Sequence, residues 1–404
     1  MHDSKRHSRK DTMKQDNQME VSRRSFMKTT GIGLSAAAIM AYDGPRSLAR
    51  AWSLALPQEQ RPMLLHNNEN PLGPGDKVVR AMHESLSDGR GGRYPGNGGL
   101  PAAIAKAEGI PQQNVMIGNG STQLLRSATQ VFTSPTKPLV TGAPSYEECT
   151  QYANVIGHPV VEVPLDDNMM LDLDKMADAA QGAGMVFLNN PNNPTGTLQG
   201  AEAVGRFIER VRSESPDTMI VVDEAYHDYV TDPGHKTQIP LATTDTHVIV
   251  ARTFSKAHGM AGMRIGWIVA HPDAISTMRR WHLGLTLNIP SMMGAATSIA
   301  DSGRIEEEVA RNTAARTYTM DWFKLHGMES TDSQCNFIFV RTGMNAREFR
   351  AGCAERNIRV GRNFPPYQDA WARISISTME DMQVATKVFG EVLGVSAEAV
   401  AAAA

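Results

Sequence analysis

MVFLNNPNNPTGTLQGAEAVGRFIERVRSESPDTMIVVD (185–223) is the stretch from which the architecture of this chain is read. It opens on a short apolar run, MVFLN, and closes on another, MIVVD. Between them, AEAVGRFIERVRSE (201–214) carries Val204, Phe207, Ile208 and Val211 at helical spacing, one apolar stripe on an otherwise polar helix. Two strands joined through such a helix form a crossover unit, which sets the strands parallel and lays the helix on one face of their sheet. The runs are apolar throughout instead of alternating, so the sheet is expected to be covered on both faces.

Four more runs have the same texture: NVMIG (114–118), PLVTG (138–142), HVIVAR (247–252) and IGWIVA (265–270). Each is bounded by Gly, Pro, Asn or Asp, or leads into a helix-length segment, the pattern of an α/β domain with a mostly parallel sheet. After residue 300 the pattern changes. RIEEEVARNTAARTYTMDWFKLHG (304–327) reads as one long helix, and NFIFVRT and WARISIST read as strands around NAREFRAGCAERN. The expected organisation is a flexible N-terminus over 1–51, a segment 52–90 that joins a small domain, a large domain over 91–300, and the small α+β domain over 301–404. The alanine run at 401–404 is read as a frayed tail.

Composition narrows the function. With 41% hydrophobic residues, 21% charged residues and a net charge of −3, the chain is of the globular class and has no basic surplus for nucleic acid. Cys149, Cys335 and Cys353 lack CxxC spacing and are odd in number, which argues against a disulfide framework or a zinc site. The twelve histidines form no ligand-like cluster, so no metal is expected.

In open parallel sheets, functional residues gather beyond the carboxyl ends of the strands. Here MVFLN is followed by Asn193, MIVVD ends on Asp223 with Tyr226 beyond it, and VIVART leads to Thr253, Ser255 and Lys256. A lysine at such a place is a point charge for phosphate, a solvated surface residue, or an imine-forming nucleophile. The surrounding residue types favour the last. Asp223 suits a protonated pyridine nitrogen, Tyr226 and Asn193 suit a ring oxygen, and Thr253, Ser255 and Arg264 suit a phosphate. That set describes pyridoxal 5'-phosphate on a lysine.

The motifs HNNENPLGP (66–74), RYPG (93–96), GNGSTQ (118–123), NNPNNPTG, VVDEAY and ARTFSKAHGMAGMRIGW (251–267) resemble, in order and spacing, those of fold-type I pyridoxal-phosphate aminotransferases. The order is similar to that of the histidinol-phosphate aminotransferase branch. The resemblance implies ping-pong transfer of an amino group from an amino acid to a 2-oxo acid; a decarboxylase or lyase on the same scaffold, and a non-catalytic cofactor-binding protein, are the other readings. It implies that Lys256 makes the Schiff base and moves the Cα proton, and that Asp223 pairs with the pyridine nitrogen. Tyr226 and Asn193 would contact the ring oxygen, and Tyr146 in PSYEE would stack on the ring. Gly120, Ser121, Thr122, Thr253, Ser255 and Arg264 would surround the phosphate where GNGST opens a helix. Arg373 in ARISIST and Asn70 would bind the substrate, Arg373 as a bidentate carboxylate clamp. Tyr94 would reach the neighbouring subunit's cofactor, which implies a homodimer.

Three departures from the family pattern bear on substrate: Thr122, Gly361, and GLTLNIP (284–290), which lacks the Pro-Tyr start often seen there. Thr122 stands where an acidic residue commonly follows the serine. In IRVGRNFPPYQDAWARISIST, Gly361 stands where an arginine would read a substrate phosphate, and Arg362 beside it is expected to point elsewhere if it lies in a strand. Histidinol phosphate is therefore not the expected substrate. The N-terminus adds a further expectation. SRRSFMK (22–28), an apolar run over 29–42 and ARA (49–51) follow the order of a twin-arginine export signal, implying export machinery as a partner and a periplasmic or membrane-tethered enzyme.

Overall fold

A computed structural model describes residues 61–395 apart from 88, 90, 91, 97, 98, 283, 285 and 286. The export signal, the segment over 52–60 and the terminal alanines lie outside the described residues. Eleven named strands follow one another along the chain: β1 (Met63–Leu65), β2 (Val115–Asn119), β3 (Leu139–Ala143), β4 (Val160–Pro164), β5 (Met185–Asn189), β6 (Met219–Asp223), β7 (Val248–Thr253), β8 (Ile265–Ala270), β9 (Phe337–Arg341), β10 (Ile358–Val360) and β11 (Trp371–Ser375). Of the helices, α1 (Gly120–Phe132), α2 (Ala201–Glu214), α3 (Ser302–Leu325), α4 (Ala346–Glu355) and α5 (Met379–Leu393) matter most below.

Seven strands form the central sheet, in the order β2-β8-β7-β6-β5-β3-β4. β7, β6, β5, β3 and β4 are parallel, and α2 is the crossover between β5 and β6 that the sequence predicts. Successive residues of these strands point to opposite faces. On one face Val186, Leu188, Ile220 and Val222 share a core with Val204, Phe207, Ile208 and Val211 of α2. On the other, Met185, Phe187, Met219 and Val221 pack with Leu124, Leu125 and Ala128 of α1. Both faces are covered, so the uninterrupted apolar runs are accounted for.

β8 runs antiparallel to both its neighbours, β7 and β2. The chain leaves the sheet at Thr253 and re-enters it at Ile265, with Thr253 paired to Gly266 and Asn119 paired to Ile265. The start of β8 is thereby returned to the edge where β7 and β2 end. Strand β4 is absent from the sequence expectation. It pairs only with β3, and its Val161 is 38% exposed, so its apolar signal is weak.

Beyond the central sheet, β1 pairs in parallel with β10, and β11 pairs antiparallel with β9. Leu65, Ile338, Val340, Ile358, Val360, Ala372 and Ile374 share a separate core with Trp322 and Phe323 of α3, Phe349 and Cys353 of α4, and Phe389 of α5. Residues 63–65 thus complete a core built mainly from sequence nearly 250 positions or more away.

A buried ion pair ties β6 to β7. Glu224, immediately after β6, accepts hydrogen bonds from Arg252 Nε (3.0 Å) and Nη2 (2.9 Å), Thr237 Oγ1 (2.7 Å) and the Gln238 N–H (2.7 Å). Arg252 also reaches Glu108 at 3.3 Å. Burial works to raise the Glu224 carboxyl, but Arg252 and its other partners hold it below the usual carboxylate range. Removing one member of such a pair strands a buried charge. Glu224→Ala is expected to destabilise the protein by about 3 kcal/mol or more, read as a lower urea midpoint; an unchanged midpoint would show that the pair contributes nothing.

Candidate active site

Three adjacent parallel strands end side by side, with Asn189 opposite Asp223 and Asp223 opposite Ala251. This register brings the residues that follow β5, β6 and β7 to one edge. Asp223 is 1% exposed, and its carboxylate accepts a hydrogen bond from the Ala225 N–H at 3.1 Å. Burial pushes its carboxyl up to about 7, against the downward pull of that N–H and of Lys256. Lys256 is half-buried, and its Nζ donates to the carbonyls of Asn67 (3.1 Å) and Asn68 (3.2 Å) and lies 5.5 Å from the centre of the Tyr226 ring. Burial lowers the amine to about 8, with Arg373 adding to the effect and Glu69 and Asp223 opposing it.

Asn68, not singled out from the sequence, organises this cluster. It is 1% exposed at φ +55°, a left-handed conformation that asparagine tolerates better than most residues. Its Nδ2 donates to Tyr226 Oη (3.0 Å), its Oδ1 accepts from Ser375 Oγ (2.9 Å), and its carbonyl accepts from both Lys256 and Asn336 Nδ2 (3.0 Å). Tyr226 Oη therefore accepts from Asn68 and keeps its own proton to donate. The signal lay in two places: HNNENPLGP, and the alternation of ARISIST that puts Ser375 on the same side of β11 as Arg373.

Arg373 is 7% exposed. Its Nη1 donates to Asn193 Oδ1 and its Nη2 to the His66 carbonyl, both at 2.6 Å, while its Nε is buried without a partner among the described residues. Burial lowers the guanidinium to about 10, still far above neutrality. Engaging Oδ1 leaves Asn193 its Nδ2 as a donor. Asn70 has both ends of its amide occupied, by Ala257 O (2.9 Å) and by the Leu72 N–H (2.9 Å), and so anchors the loop that carries Lys256.

The third part of the site is a helix start. Gly120 opens α1 at φ +70°, and its N–H donates to the Arg264 carbonyl at 3.0 Å. A Cβ on Gly120 would collide with the Arg264 guanidinium, and one on Gly266 would collide with the backbone nitrogen of Ser121. These glycines let β8 and Arg264 close on the helix N-terminus, where free N–H groups and the helix dipole favour an anion. Thr253 Oγ1 and Ser255 Oγ are hydrogen-bonded to each other at 2.9 Å on the same edge. Thr122 stands one residue along the helix from Ser121, close enough to Tyr146 for its hydroxyl to oppose the burial that pushes that phenol up to about 12. Tyr94 stands apart, 90% exposed.

A family model described as Aminotransferase class I and II matches residues 60–389. Histidinol-phosphate aminotransferase of Moorella thermoacetica is 31% identical over 333 residues, 81% of this chain and 85% of that protein. Aromatic amino acid aminotransferase of Thermobifida fusca is 30% identical over 318 residues, 78% of this chain and 86% of that protein. The crystal structure of histidinol-phosphate aminotransferase from Sinorhizobium meliloti in complex with pyridoxal-5'-phosphate aligns with a TM-score of 0.78 at 26% identity, over 87% of this chain and 95% of that one. The relatives carry two substrate names but one reaction, and the chain belongs to the class I and II aminotransferases, enzymes whose cofactor is pyridoxal 5'-phosphate.

Proposed function

We propose that the site transfers an amino group from an amino acid to a 2-oxo acid in two half-reactions, with Lys256 as the group that moves the proton. The observation that carries this reading is the half-buried Lys256 amine just beyond β7, held by the Asn67 and Asn68 carbonyls 5.5 Å from the Tyr226 ring centre and lowered to about 8. The residues fit the cofactor: the glycine-lined helix start, with Ser121, Thr253, Ser255 and Arg264, suits a phosphate, and Asp223 lies in the same cluster. Pyridoxal 5'-phosphate, when bound, supplies an electron-withdrawing ring that stabilises negative charge at the substrate's Cα.

The chain's own groups do the rest. Asp223 would hold a proton on the ring nitrogen, because a cation set against it would pull its carboxyl back toward the ionised form. Tyr226 and Asn193 would donate to the ring oxygen, and Tyr146 would cover the ring. Arg373 takes the substrate carboxylate with its unpaired Nε and the remaining Nη hydrogens, as a planar fork. A carboxylate fixed by Arg373 in the plane of the ring would leave the Cα–H bond perpendicular to it and open to Lys256, which favours a keto acid over carbon dioxide as product. Asn70 keeps the Lys256 loop in register with the segment before it.

Lys256→Ala is expected to lower turnover by roughly 10²-fold to 10⁴-fold, with the keto acid measured directly. Because burial lowers Lys256, its amine is neutral above about pH 8 and protonated below. Uptake of pyridoxal 5'-phosphate by the apo chain should therefore quicken as pH rises through about 8, followed by absorbance; a flat profile contradicts this role for Lys256.

Two wider proposals rest on other observations. The exposed Tyr94 and the resemblance in RYPG support a homodimer with shared sites. Sedimentation should return twice the mass of one chain, and a monomer that retains full activity rules the sharing out. Arg23 and Arg24, followed by an apolar run and ARA, support twin-arginine export to the periplasm, cleaved or tethered. Fractionation should find the native protein outside the cytoplasm, and Arg23→Lys with Arg24→Lys should retain it inside; an unchanged distribution refutes export.

A further inference from the structure

Gly361 leaves the distal end of the site without the arginine expected there. Its N–H donates to the Arg373 carbonyl at 2.9 Å, and a Cβ would stand 2.5 Å from that same oxygen, so Gly361 is packed against the backbone of the carboxylate clamp. β10 ends at Val360, so Arg362 lies outside it and the strand on which its expected direction depended does not extend to it. Its guanidinium carbon lies 4.2 Å from the centre of the Phe364 ring, and that of Arg373 lies 4.9 Å from the same ring. The two guanidinium carbons are therefore no more than about 9 Å apart.

Arg362 has a competitor for its charge. Its Nη2 pairs with Glu147 Oε2 at 2.7 Å, and Glu147 directly follows Tyr146. The two side chains are 47% and 36% exposed, and both charges act on Arg373. Arg350 and Arg359, together with Arg373, act on His66, whose carbonyl holds Arg373. The mouth is thus rich in arginine, with Glu147 set against the arginine that stands on Phe364. A half-exposed ion pair contributes little net stability, because both ions remain largely hydrated and the long side chains lose freedom in pairing. Another carboxylate can take Glu147's place at small cost.

We infer that Arg362 determines side-chain specificity: a second anionic group, at the far end of the substrate, displaces Glu147 from Arg362, while a neutral side chain leaves the pair closed. The substrate class is an α-amino acid with a terminal carboxylate in one half-reaction, with a neutral partner admitted in the other. A two-step transfer uses one pocket for two different side chains, and a pair that opens serves both. This rests on Arg373 holding the α-carboxylate, as proposed above.

L-Glutamate and L-norvaline, which share a carbon chain up to the terminal carboxylate, separate the possibilities. With purified holoenzyme, kcat/KM for each half-reaction is read from the absorbance of the bound cofactor. Arg362→Gln should lower the glutamate-to-norvaline ratio by roughly tenfold, the loss expected for a charged hydrogen bond. Glu147→Gln should raise that ratio, because Arg362 loses its competitor. A purely structural role moves both variants the same way, so a shared direction, an unchanged ratio, or a wild type that converts norvaline and refuses glutamate overturns the inference. The transaminase reading survives those results if Arg373→Lys still slows both substrates; a wild type inert to every amino acid overturns both readings.

Discussion

Three ionisable groups meet in one cluster, with Asp223 and Arg373 withdrawn from water and Lys256 half-buried, and the surrounding structure is arranged to tolerate them. Isolated buried charges are among the costliest features a fold can hold. Here the cost is limited by backbone carbonyls. Asn67 and Asn68 receive Lys256, and His66 receives Arg373. A short segment preceding the main domain therefore supplies the acceptors for both cations. It is held in turn by Asn68 to Ser375, by Asn70 to Ala257, and by β1 to β10. What remains unsatisfied is informative: burial lowers the amine, raises the carboxyl and leaves Arg373 Nε without a partner, which are the properties of a site built to receive a charged ligand.

The same economy shapes the anion-binding end. Antiparallel β8 is the device that brings Arg264 back beside Gly120 after the chain has passed Lys256. A parallel strand in that position would have carried Arg264 to the opposite edge. Glycine serves at both contact points, at Gly266 because a single added carbon would meet the backbone of Ser121 and at Gly120 because its φ of +70° favours glycine. Position in the sheet and absence of side chain act together, and neither is sufficient alone. Beneath this edge, Glu224 and Arg252 bind β6 to β7 and so hold the spacing between Asp223 and Lys256.

Much of this was legible in the residues themselves. The run 185–223 yields β5, α2 and β6 because apolar periodicity is a local property, set by the pitch of a helix and the pleat of a strand. Lys256, Asp223, Tyr226, Asn193 and Arg264 stood out as candidates because their chemical types, at or just beyond strand ends, combine into one cofactor's needs. Asn68 was not, although it stands in a quoted motif: its importance comes from a left-handed backbone and from Ser375, 307 positions away. β4 escaped because an edge strand with exposed valine lacks the burial that makes a run apolar. The expected export signal concerns residues beyond those described.

By itself, then, the sequence determined the fold class and the cofactor, since each is encoded in short-range pattern or in residue chemistry. Tertiary structure alone decided the rest: the reversal of β8, the carbonyls offered to Lys256 and Arg373, the fit of Gly361 against Arg373, and the pairing of Arg362 with Glu147. These depend on which distant segments share a volume. Such contacts follow from the packing of whole elements, and no local spacing records them.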